Sequence, residues 1–131
     1  MKRLNTQAAL FGVLILSACS SIEAVCPITA FPAIEVEVRY ASTEEPAWWG
    51  TQGFVQDGNF IDSLFTTSEF AEDSTIPFLL AAAFDRPGTY DVTLERNGFE
   101  PVQFDDVTAT LDAECSQVIP VRLQVRLVPV P

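Results

Sequence analysis

The sequence predicts an all-β fold, a sandwich of seven short strands. Three observations predict it. Residues 33–40 and 118–128 alternate apolar and polar side chains with a period of two, the pattern of a strand with one face in a core and one in water. Turn signals recur at near-regular spacing between them: Asp57-Gly58, Asp85-Arg86-Pro87-Gly88 and Asn97-Gly98. At 131 residues, without internal repeats or low-complexity tracts, the chain has the length of one domain.

Lys2 and Arg3 precede an uncharged run over residues 8–16, closed by Ser17 and Ala18. A basic start, an apolar stretch and small residues read as a cleaved signal peptide, residues 1–18. The run is too short to span a bilayer, which takes about 20 apolar residues. Residues 19–25 read as a tether, and the domain occupies 26–131. Strand one is 33–40. The polar stretch ASTEEPAWWGTQG comes next, with Trp48-Trp49 inside it. Strand two is 51–56, Asp57-Gly58 suits a type I′ hairpin, and 59–65 returns as strand three. Residues 66–75 form a polar acidic loop. Residues 76–84 are apolar, and periodicity alone does not choose strand or helix there. Arg86-Pro87-Gly88 reads as a type II turn before strand 89–95. Asn97-Gly98 gives a second I′ signal. A strand lies within 102–111, interrupted near Asp105-Asp106. In the last strand Val121, Leu123, Val125 and Leu127 share one face, and Arg122, Gln124 and Arg126 the other.

Two resemblances sharpen this. Leu16-Ser17-Ala18-Cys19 resembles the lipobox of bacterial lipoprotein precursors. The resemblance implies a diacylglycerol thioether on Cys19, cleavage before it, and acylation of the new amino group. The alternative is an ordinary secretory peptide with a chance cysteine. Stable anchoring takes about two acyl chains, which this modification supplies. Ser20 stands where Asp commonly resembles an inner-membrane retention signal, so the expected location is the outer membrane. Further along, RPGTYDVTLERNGFEPVQF resembles the carboxypeptidase regulatory-like domain, a transthyretin-like sandwich. The matching residues are Pro87, Gly88, Tyr90, Val92, Gly98 and Phe99, flanked by IEVEVRY and CSQVIPVRLQVRL. That resemblance implies a binding or structural module without catalysis. ASTEEPAWWG replaces the usual turn after the first strand.

With Cys19 lipidated, Cys26 and Cys115 remain. In an oxidising envelope they are expected to form one disulfide; the alternative is two free buried thiols. Cleavage after Ala18 leaves five Arg and no Lys against 18 acidic residues, a formal balance of −13. That charge argues against nucleic acid, whose phosphates demand a basic face.

The chain has no His, which removes the ordinary serine triad, the Cys-His dyad and most zinc sites. The acidic pairs Glu44-Glu45, Glu72-Asp73 and Asp105-Asp106 read as solvated loop charge. No Asp-x-Asp-x-Asp-Gly calcium loop is present. Trp48 and Trp49 are the candidate ligand-binding residues: one in the core and one exposed, or both packed over the sandwich end. The expectation is a non-enzymatic envelope lipoprotein, without cofactor or metal. It meets the membrane through lipid on Cys19 and an envelope protein through a sheet edge or the Trp48-Trp49 loop. The alternative is a carbohydrate- or peptidoglycan-binding module using that loop.

Overall fold

The computed structural model describes residue 23 and residues 25–66 and 79–131. The signal segment, Cys19, most of the tether, the loop 67–75 and the Glu72-Asp73 pair lie outside the described residues. Eight strands and no helix are found among those described: β1 (Pro32–Tyr40), β2 (Gln52–Asp57), β3 (Phe60–Ser63), β4 (Phe65–Thr66), β5 (Leu79–Phe84), β6 (Gly88–Glu95), β7 (Val102–Ala109) and β8 (Val121–Leu127). They form two four-stranded sheets, ordered β4-β5-β1-β8 and β3-β2-β6-β7.

Alternation in β1 buries Ile34, Val36 and Val38 and turns Glu35, Glu37 and Arg39 outward. β8 runs parallel to β1, Ile34 facing Val121 and Tyr40 facing Leu127. It sends Val125 and Leu127 inward. The second sheet answers with Val55, Tyr90, Val92 and Leu94, and one core cluster joins the two inner faces. Each such aliphatic side chain contributes about 1.5–3 kcal/mol on burial. The outward arginines pair with acids: Arg122 with Glu35 at 3.1 Å, Arg39 with Glu37 at 2.6 Å.

The structure departs from the sequence expectation in several places. Residues 59–65 are two strands in different sheets, β3 against β2 and β4 against β5. Leu64 is the switch. It is buried, and its N–H donates to the Gly53 carbonyl at 2.9 Å; the chain passes there from the edge of one sheet to the edge of the other, and the described strands number eight rather than seven. The ambiguous apolar run is a strand where described, β5. At Asp57–Phe60 only Gly58 has positive φ (+58°), the pattern of a II′ turn with Gly first. At Arg96–Phe99 only Gly98 does (+84°), the pattern of a type II turn. Gly88 is not a turn residue but the first of β6. A Cβ there would press on Asp57 Oδ2 and Arg86. The interruption near Asp105-Asp106 is a bulge: register shifts between Tyr90 and Val92, and the Asp106 N–H donates to Asp91 Oδ1.

Strand registers define two ends. Cys26, Phe31, Asp85 and Cys115 lie where β1 starts; Tyr40, Trp48, Arg96 and Val128 lie where it finishes. The nine residues of β1 separate these ends by about 30 Å.

Candidate functional site

At the start of β1, Cys26 and Cys115 form a disulfide with Cα atoms 5.4 Å apart. Asp112 builds the turn that presents Cys115: its Oδ1 accepts the N–H groups of Cys115 (2.7 Å) and Glu114 (3.0 Å), and its Oδ2 that of Gln117 (3.0 Å). These donors, that of Cys115 foremost, hold the Asp112 carboxyl below its ordinary value. Gln117 in turn donates its side-chain amide to the Pro27 carbonyl, tying the incoming chain to this turn. Nearby, the Tyr90 ring is wholly buried while its hydroxyl donates back to the Arg86 carbonyl at 2.5 Å. Arg86 reaches Asp57 at 2.8 Å and lies 4.0 Å from the Phe60 ring centroid. The hydrogen bond it donates to Asp57, then the one it donates to the Tyr90 hydroxyl, raises its already high pKa. These polar groups are partnered inside the domain, so the cluster reads as a structural staple.

The opposite end is built differently. After Tyr40 the chain reverses through Glu44, whose φ is +59°. The Glu44 N–H donates to the Tyr40 carbonyl and the Ala47 N–H to the Val38 carbonyl at 2.8 Å, which returns the loop to β1. Arg126 meets Glu44 at 2.8 Å, and that hydrogen bond, with the charges of Arg126 and Arg39, lowers the Glu44 carboxyl pKa. Ala47 is buried and anchors the tryptophan pair to the core. The Thr51 N–H donates to the Trp48 carbonyl at 3.2 Å, closing a turn with Trp49-Gly50 at its corner. Gly50 has a φ of +77°, which a type II turn requires at its third position and which glycine adopts without steric cost.

That turn sets the two indoles apart. Trp48 is half-buried against the core. Trp49 is 75% exposed. Their rings meet edge to face, with centroids 5.6 Å apart, a favoured aromatic geometry. Arg96 fixes the loop from the other sheet: its guanidinium donates to the Ala47 carbonyl at 3.0 Å and to the Trp49 carbonyl. The same group lies 5.2 Å from the Tyr40 ring centroid and 5.7 Å from that of Phe99, and these two rings are 5.5 Å apart. Beside Gly50 an open groove of about 480 Å³ runs past Gln52, Glu95, Arg96, Asn97 and Phe99.

The structure therefore joins Trp48 and Trp49 at one end and holds Cys26 and Cys115 together at the other. Sequence reasoning missed Arg96, Tyr40, Phe99 and the groove residues Gln52 and Asn97. Arg96 has no local signal, since the carbonyls it clamps lie 47 and 49 residues earlier. Of the acidic pairs among the described residues, Glu44 engages Arg126 and Asp105 accepts from Gln103 at 2.7 Å. Among the described residues no three Asp, Glu or Cys side chains converge as metal ligands.

No family model, no curated protein and no solved structure matches this chain.

Proposed function

We propose that this chain is a lipid-anchored protein of the bacterial cell envelope whose β-sandwich is a non-enzymatic binding module. In this reading residues 1–18 are removed, Cys19 carries the lipid in the outer membrane, and residues 26–131 form a transthyretin-like domain of the carboxypeptidase regulatory-like type. The seven steps from Cys19 to Cys26 span at most about 25 Å, so the disulfide end stays close to the bilayer. The aromatic end lies at the far end of β1, about 30 Å from the disulfide end.

One observation carries the binding role: Trp49, 75% exposed, on a turn that Arg96 clamps through two carbonyls. An exposed indole held in place loses little conformational entropy on contact, which suits a recognition residue. Three of the four edge strands offer less. β3 has four residues and β4 two, and β7 is bulged, features that discourage strand addition.

The test is tryptophan emission of the folded domain titrated separately with solubilised outer-membrane proteins and with cell-wall glycan. A response to one of these, abolished in Trp49→Ala, is expected. Silence towards both would remove the aromatic end as a binding surface.

A further inference from the structure

We infer that the aromatic end binds a neutral saccharide, with the exposed Trp49 indole as the stacking platform and the polar side chains of the adjoining groove, which begins at Gly50, as hydrogen-bonding partners. This rests on the aromatic end being the binding surface and names the chemistry of its ligand.

Four observations lead there. The platform is exposed and fixed: Trp49 stands against the edge of Trp48, and Arg96 holds its carbonyl. A flat indole face suits the aliphatic C–H face of a pyranose ring, as amphipathic aromatics suit ligands with one apolar and one polar side. The space is adequate, because about 480 Å³ falls within the usual range of small-ligand clefts, about 300–1,000 Å³. The lining is polar: Gln52, Glu95 and Asn97 offer amides and a carboxylate, groups that pair with hydroxyls. This distinguishes the groove from one meant for an apolar side chain or a lipid tail.

Charge selects the kind of sugar. Among the described residues Arg96 is the single cation lining the groove, and its Nη1 is committed to the Ala47 and Trp49 carbonyls. Its guanidinium also leans on Tyr40 and Phe99, so an anion there would compete for a group that the turn carrying Trp49 already uses. Glu95 lines the same groove and Glu100 lies two residues beyond Gly98. A carboxylated or phosphorylated glycan would meet Glu95 with no second cation among the described groove residues to offset it. A neutral oligosaccharide meets no such penalty.

The experiment uses the folded, disulfide-bonded domain and three defined probes: chitotetraose, cellotetraose and a hyaluronan tetrasaccharide. Tryptophan emission and isothermal titration are recorded for the wild type, Trp49→Ala and Asn97→Ala, with thermal unfolding to verify that each variant is folded. The expected result is that at least one neutral tetrasaccharide shifts the emission and hyaluronan does not. Affinity falls by about tenfold or more in Trp49→Ala, as for a central aromatic contact, and by less in Asn97→Ala. Equal or tighter binding of hyaluronan overturns the charge argument, and neutral binding unchanged in Trp49→Ala overturns the site. Silence towards all three sugars, with a Trp49-dependent response to outer-membrane proteins, overturns the saccharide inference and leaves the binding module standing. Silence towards sugars and proteins alike overturns both.

Discussion

The two ends of this sandwich use the same residue types for opposite purposes. Each has an arginine against aromatic rings and against a backbone carbonyl or hydroxyl. At the disulfide end, Arg86 lies on Phe60 and Asp57 beside the buried Tyr90, and a covalent bond closes the chain nearby. At the aromatic end, Arg96 braces Tyr40 and Phe99 and holds up a loop whose outermost indole is bare. The first arrangement packs the Tyr90 ring inside the core and stabilises the fold. The second fixes apolar surface in place and leaves it in water. Exposed apolar area that the fold uses interactions to hold still, rather than to bury, is the stronger pointer to binding.

Breaking the disulfide end should have the largest effect. Cys115→Ser opens a loop with a sequence separation of 89, for which chain entropy sets an upper bound of about 4–5 kcal/mol. Urea unfolding followed by circular dichroism should show a much lower midpoint, and reductant should lower the wild type towards it. Removing the Tyr90 hydroxyl comes next. Tyr90→Phe deprives the Arg86 carbonyl and guanidinium of a partner, with an expected loss of about 1–3 kcal/mol.

Arg96→Ala should sharpen the comparison. It takes the donor from the Ala47 and Trp49 carbonyls. Hydrogen exchange should accelerate across residues 47–51 while protection around Cys115 stays as it was. Trp49→Ala, at the other extreme, should change stability by no more than about 0.5 kcal/mol, as exposed substitutions do.

Acid should act on both ends through different carboxylates. The folded pKa of Asp112 is depressed by the N–H donors of Cys115, Gln117 and Glu114, and that of Glu44 by Arg126. A depressed carboxylate gives its full stabilisation above the unfolded value, about 3.9 for Asp and 4.3 for Glu. The contribution is lost as pH falls through the folded value. Unfolding midpoints should therefore hold from neutral pH to about pH 4 and drop below it. Asp112→Asn should be less stable at neutral pH and less sensitive to acid.

Much of the fold was legible in the sequence because it is written in local alternation. Ile34, Val36 and Val38 against Glu35, Glu37 and Arg39 declare β1, and Arg122, Gln124 and Arg126 declare the outer face of β8. The disulfide was expected once the lipobox resemblance set Cys19 aside and left two cysteines. The sheet change at Leu64 was not legible, since a one-residue crossing leaves the period of two almost intact. Nor was the parallel pairing of β1 with β8, which joins residues 87 apart. At the candidate site, Trp48-Trp49 drew attention by composition. Which indole is exposed depends on Gly50 and on Arg96, and only the assembled sheets bring Arg96 to the loop.

The central claim is an anchor at one end and a free aromatic end at the other, and the intact mass of membrane-extracted protein tests it most directly. Spectra are recorded unreduced, then after reduction and alkylation. The account predicts loss of residues 1–18, added diacylglycerol and acyl mass on Cys19, and two alkylatable thiols that appear only on reduction. An unlipidated mass, with Cys19 open to alkylation before reduction, would contradict it.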